Sequence, residues 1–230
     1  MTTRHLGWIA AFLIVLTISA CSNTQHLQAE DQAPTATETT ADLEALYWAR
    51  QDSARSVYTE ADVAFMAGMI GHHAQALVMS RLAPTNGANA QVQTLAARII
   101  NAQTDEIATM QRWLRQRGQP VPEVHIDGLN LMIHGGGEHD HLHMPGMLTD
   151  QQLHELDEAR DAAFDRLFLT YMIQHHSGAV TMVDDLFATD GAALDEAAFK
   201  LASDINVDQI TEIARMELML GHLSDSIQEP

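Results

Sequence analysis

The stretch Asp62-Val-Ala-Phe65-Met-Ala-Gly-Met69-Ile-Gly-His72-His73-Ala-Gln-Ala76-Leu-Val-Met79 decides the fold, because it occurs twice. The second copy reads Asp165-Arg-Leu-Phe168-Leu-Thr-Tyr-Met172-Ile-Gln-His175-His176-Ser-Gly-Ala179-Val-Thr-Met182, at a constant offset of 103. Downstream, Gln103-Thr-Asp-Glu106-Ile107-Ala-Thr-Met110 returns as Gln209-Ile-Thr-Glu212-Ile213-Ala-Arg-Met216, at an offset of 106. Repetition at a fixed period marks duplicated supersecondary units.

All four segments carry apolar residues at helical spacing. Thr59 with Asp62, and Thr149 with Gln152, have the spacing of N-terminal capping pairs. Pro84 to Asn89, Gly118 to Pro122 and Asp190-Gly191 supply the breaks. Helices are therefore expected at 60–82, 90–117, 161–187 and 195–224, with a shorter one near 150–158. Two helical hairpins, 59–118 and 149–230, joined by a linker at 119–148, most simply make an all-α four-helix bundle. A further helix over Asp42 to Arg50, with Leu46, Tyr47 and Trp48, is expected to pack on its outside.

On a helical wheel, Phe65, Met69 and Ala76 point one way, with His72 on one flank of that stripe and His73 on the other. The second copy repeats this with Phe168, Met172, Ala179, His175 and His176. Both imidazoles of each pair thus border the buried face. On the following helix, Gln103 and Glu106 lie inside the stripe of Ile99, Ile107, Met110 and Trp113. Gln209 and Glu212 stand in the same relation to His175 and His176. Burying a carboxylate or an amide is costly unless it finds a partner, and the facing histidines are the natural ones. Two readings follow. In one, Glu–His and Asp–His hydrogen bonds satisfy a polar seam. In the other, His and Met lone pairs hold a metal, with Asp62, Glu106, Asp165 and Glu212 orienting the imidazoles. Methionine alone does not decide, since Met69, Met79, Met110, Met172, Met182 and Met216 also serve as core filler.

The linker contains Met132-Ile-His134-Gly-Gly-Gly-Glu138-His139-Asp140-His141-Leu142-His143-Met144-Pro-Gly-Met147, four histidines and three methionines in 16 residues. Short His-rich tracts suit metal binding. Alternating His139, His141 and His143 would fall on one side of an extended strand. Thioethers favour Cu(I), whereas imidazole serves Cu(I), Cu(II), Zn and Ni alike. His134, Met144 and Met147 join this candidate metal loop.

The N-terminus has the order of an export signal. Arg4 and His5 precede an apolar run from Leu6 to Ile18, shorter than the roughly 20 residues that span a bilayer. Ile18-Ser19-Ala20-Cys21 follows, and Cys21 is the single cysteine. The arrangement resembles a bacterial lipobox. Residues 1–21 are read as a lipoprotein signal, with lipidation at Cys21 and attachment to a membrane in the periplasm or at the outer surface. Residues 22–58 are read as a tether that includes the short helix, because Ser22 to Ala41 has almost no large apolar residue. A formal charge of −19 argues against nucleic acid and against a polybasic membrane patch, and suits a body that attracts cations.

The doubled Asp, Phe, Met, His-His, Ala, Met pattern, followed by Gln-x-x-Glu-Ile-x-x-Met, resembles the domain-of-unknown-function 305 family over about Asp62 to Leu223. Met144-Pro-Gly-Met147 and Phe164-Asp165-Arg-Leu-Phe168-Leu are also similar to that family. The resemblance implies a ferritin-like helical bundle outside the cytoplasm, in a family with some periplasmic copper binders. It carries over Met69, His72, His73 and Met79 with Gln103, Glu106 and Met110, and Met172, His175, His176 and Met182 with Gln209, Glu212 and Met216.

Three functions compete. The first is a copper-binding lipoprotein that sequesters or hands on Cu(I) through His and Met. The second is a di-iron or di-manganese oxidase of the bundle type, which needs Glu-x-x-His on two helices. Glu106 and Glu212 are each followed by no such histidine. The third is a metal-free envelope interaction protein. No nucleophile–base pair, phosphate loop or dinucleotide fingerprint occurs, so catalysis is not the expected role.

Overall fold

The computed structural model describes residues 39–55, 57–135 and 144–225, and the lipobox, Cys21, His139, His141 and His143 lie outside them. In chain order the elements are α1 (Thr40–Arg55), α2 (Glu60–Arg81), α3 (Ala90–Gln116), β1 (Glu123–Asp127), β2 (Asn130–His134), α4 (Asp150–Glu158), α5 (Asp161–Ala188) and α6 (Glu196–Asp225). The chain is an all-α bundle carrying one small β-hairpin. Helix α2 packs on α3, α5 on α6, and the two hairpins meet through α2 and α5.

The capping pairs read from sequence form as reciprocal boxes. Thr59 and Asp62 open α2, and Thr149 and Gln152 open α4. Asp62 goes further: its second carboxylate oxygen accepts from the Ala193 amide at 2.7 Å. Its repeat counterpart, Asp165, accepts from the backbone and side-chain nitrogens of Asn89 at 3.1 and 2.8 Å. Each half thus anchors the other half's hairpin loop. Asp62 and Asp165, expected to orient imidazoles, are engaged here instead, because each lies near the start of its helix, more than two turns from the histidines.

The two halves are buried differently. Helix α5 buries one face, including Phe164, Phe168, Met172, His175 and His176. Helix α2 buries every residue from Phe65 to Ser80, so the one-sided wheel expected for it is replaced by all-round burial. The added cover is the β-hairpin and the stretch from Met144 to Leu148. The hairpin pairs Val124 with Ile133 and Ile126 with Leu131 in antiparallel register, and turns at Gly128, where φ is +59°. Val124 and Ile126 pack inward on the core. His125, Met132 and His134 lie on the outer, exposed face.

Helix α1 does not pack as expected. Its Leu46, Tyr47 and Trp48 remain about half exposed, and Tyr47 and Trp48 make an edge contact with each other. Among the described residues, no helix is long and apolar enough to cross a membrane.

Candidate metal centre

The duplication brings His72, His73, His175 and His176 into one layer between α2 and α5, all fully buried. The His72 and His175 rings lie 3.9 Å apart between centroids. Each His–His pair spreads to opposite flanks, with ring centroids 6.5 Å apart in α2 and 6.1 Å in α5. That spread follows from adjacent positions on a helix, about 100° apart.

The hydrogen bonds determine which nitrogen carries the proton in the His72 and His175 rings. His72 Nε2 lies 3.0 Å from the Pro145 carbonyl oxygen, and His175 Nε2 lies 3.0 Å from the His72 carbonyl oxygen. A carbonyl only accepts, so both Nε2 atoms must donate. In a neutral imidazole, Nδ1 then keeps the lone pair. Neutrality is imposed by the surroundings. Burial, then the neighbouring His73, pulls the His72 pKa from 6.5 down to about 3. Burial, then His72, pulls His175 well below its ordinary value.

The outer pair faces carboxylates. His176 Nε2 donates to Glu212 Oε2 at 2.7 Å. His73 Nε2 lies 2.7 Å from Glu106 Oε2 in the matching place, off the line of a good hydrogen bond. A carboxylate behind a histidine raises the basicity of the opposite nitrogen and holds the ring in place, as in carboxylate–histidine–metal arrangements. The Nδ1 atoms of all four histidines are buried without a hydrogen-bond partner among the described residues. Buried ring nitrogens are normally satisfied, so four unpartnered Nδ1 atoms in one layer are a candidate donor set.

The strap Met144-Pro145-Gly146-Met147-Leu148 closes over this layer. Gln75 grips it, donating from Nε2 to the Leu148 carbonyl at 3.0 Å and accepting the Leu148 amide at 2.7 Å. Gly178 yields to it: a Cβ there would stand 1.9 Å from the Pro145 carbonyl oxygen. Gln75 and Gly178 are equivalent positions of the repeat, and they differ because one strap must be held on one side and admitted on the other. A Cβ at Gly68 would meet Met144 Sδ at 3.2 Å and Met182 Cε at 3.5 Å. Two thioether side chains therefore converge one turn from His72.

The remaining candidate methionines divide between two apolar clusters. Met79, Met172 and Met216 pack with Phe164 and Phe168. Met69 and Met110 pack with Ile70 and Leu114. Met147 is half-buried in the strap, and His134 is exposed at the end of β2. Sequence reasoning missed Gln75, Gly68, Gly178 and the Pro145 carbonyl. The mismatch of Gln75 with Gly178 inside an otherwise matched repeat was the available signal. Among the described residues, no group of three His, Cys, Asp or Glu side chains is placed to hold an ion by itself.

Residues 62–220 match the family model described as "Domain of unknown function (DUF305)". Among curated proteins none matches the chain. The solved DUF305 fragment from Deinococcus radiodurans is 30% identical, with a TM-score of 0.58, covering 72% of this chain and 98% of that one. A DUF305 protein from Streptomyces coelicolor shares the fold at 24% identity and a TM-score of 0.59, covering 71% and 92%. CopM in its Cu(I)-bound form is 28% identical, with a TM-score of 0.52, covering 70% of this chain and 96% of that one. CopM has also been solved in Cu(II)-bound and silver-bound forms. The duplicated His-His helices and the family match agree, and the chain belongs to the DUF305 family.

Proposed function

We propose that this protein is an exported lipoprotein that binds copper, as Cu(I), through histidine and methionine, for sequestration, tolerance or transfer. The carrying observation is the layer of four buried imidazoles, each with an unpartnered Nδ1. Neutral imidazole nitrogen and thioether sulfur together suit Cu(I), a soft ion that tolerates low coordination numbers. Met144 and Met182 supply thioethers at Gly68, one turn from His72. Glu106 and Glu212 act on His73 and His176 from behind. Similarity to CopM, solved with Cu(I), Cu(II) and silver, supports the same metal class.

His139, His141 and His143, with Met144 and Met147, form the capture loop of this reading, and His134 stands at its N-terminal side. Met69, Met79, Met172 and Met182 flank the imidazoles on their own helices. Lipidation of Cys21 places the protein at a membrane surface outside the cytoplasm. It also leaves soft-metal binding to methionine and histidine, since no other thiol exists in the chain.

The test is anaerobic titration of protein purified without a His-tag, using Cu(I) and Ag(I) against a competing chelator. Saturable binding is expected. It should be weakened by combined replacement of His139, His141, His143, Met144 and Met147, and lost when His72, His73, His175 and His176 are replaced as well. Wild-type binding by both variants would refute the reading.

A further inference from the structure

A cavity of about 120 Å³ lies between α3 and α6, on the side of the histidine layer away from the strap. Its walls include Gln103 and Glu106 from the first half, Gln209 and Glu212 from the second, with Asp208 and Arg98 at the rim. Each half thus contributes one amide and one carboxylate through the duplication. Asp208 breaks the symmetry, since its counterpart in the first half is Ala102, which lines the same cavity.

Two observations point to a ligand. Gln103 is 1% exposed, and both of its amide atoms lack a hydrogen-bond partner among the described residues. Gln209 is 2% exposed, and its Oε1 is likewise unpartnered. Buried amides left in this state are costly. The cavity also gathers three carboxylates against one guanidinium. Burial, then Glu106 and Glu212, raises the Asp208 pKa, while Arg98 opposes the rise.

We infer that this cavity is a second cation site, taking a hydrated divalent ion of the hard, oxygen-seeking class. Carboxylate and amide oxygens without sulfur select magnesium-, calcium- or manganese-type ions over copper. The described side chains do not converge closely enough to hold a bare ion. An ion that keeps much of its water shell fits better, and the cavity has room for several waters. The inference is distinct from the copper reading although Glu106 and Glu212 serve both: they back His73 and His176 there, whereas Asp208, Gln103 and Gln209 supply oxygens to this cavity alone.

The experiment titrates Mn²⁺ into the protein in 0.15 M salt, following loss of the aqueous manganese paramagnetic resonance signal, with Ag(I) titrated in parallel. One saturable Mn²⁺ site per chain, displaced by Mg²⁺, is expected. Asp208→Asn should weaken Mn²⁺ at least tenfold and leave Ag(I) unchanged. Gln103→Leu with Gln209→Leu should abolish Mn²⁺ binding, with helical circular dichroism confirming the fold. Weak, unsaturable Mn²⁺ uptake would overturn the site and assign the effect to the acidic surface, which salt at this strength screens. Wild-type Mn²⁺ affinity in Asp208→Asn would also overturn it. Parallel loss of Ag(I) in that variant would overturn its separateness from the imidazole centre.

Discussion

The His175 ring lies over the His72 ring, tilted by 39°, and its Nε2 donates to the His72 backbone carbonyl at 3.0 Å. One bond therefore joins the two halves of the duplication at the centre of the donor layer and directs the His175 lone pair to Nδ1. Replacing the carboxylate that performs this service for His176 isolates the effect of orientation. Glu212→Gln is expected to keep the fold and to reduce Ag(I) or Cu(I) affinity by about 10–100-fold. Competition titration measures it, and unchanged affinity would remove Glu212 from the metal centre.

The buried imidazoles also predict an acid-sensitive metal-free protein. The folded pKa values of His72 and His175 lie below the unfolded value of 6.5, with His72 at about 3. The unfolded state then binds more protons than the folded one between those limits. Stability is fully present above pH 6.5 and is lost as pH falls toward 3. At about 1.4 kcal/mol per pH unit, His72 alone accounts for on the order of 3 kcal/mol by about pH 4. Thermal melts of metal-free protein should show the slope, and His72→Gln should flatten it.

Gly178 is the point where the strap touches α5. A Cβ there meets the Pro145 carbonyl oxygen and carbon and the Gly146 Cα, all within 2.7 Å. Backbone on both sides cannot relax as a flexible side chain would. Gly178→Ala is expected to lift the strap and to cost about 1–3 kcal/mol. It should also weaken Ag(I) binding, because Met144 travels with the strap. A melting curve and a silver titration together check both effects.

Asp195 ties α3 to the start of α6. It accepts from Trp113 Nε1 at 3.0 Å and from the Ala198 amide at 2.8 Å, and it pairs with Arg117. Burial opposes its charge, but these hydrogen bonds outweigh burial and hold its pKa below the usual carboxylate value. Asp195→Ala leaves Arg117 buried without its partner and should destabilise the protein by about 3–5 kcal/mol. Chemical denaturation measures this. The variant's silver affinity should be unchanged, since Asp195 lies at the hairpin-loop end.

Much of this molecule was legible in the chain. Helical period, the Thr59 and Thr149 caps and the Pro and Gly breaks are local properties, and the helices form where those signals place them. Hairpin β1–β2 was carried by alternation of Val124, Ile126, Leu131 and Ile133 around Asp127-Gly128, a strand signal masked by the His and Gly bias of the linker. The exposure of Leu46, Tyr47 and Trp48 was not legible, because docking of a short helix depends on a complementary surface elsewhere.

The sequence by itself determined that two copies of a His-His helix face inward and that Gln103, Glu106, Gln209 and Glu212 oppose them, because duplication and period are linear facts. Only the tertiary structure decided which protons the imidazoles carry. That depends on the Pro145 and His72 carbonyls, two acceptors brought to the rings by folding. The tertiary structure also divided the methionines, leaving Met69, Met79, Met110, Met172 and Met216 in apolar packing and bringing Met144 beside Met182. A thioether serves equally in apolar packing or as a ligand, so the linear pattern leaves its neighbours in space to folding.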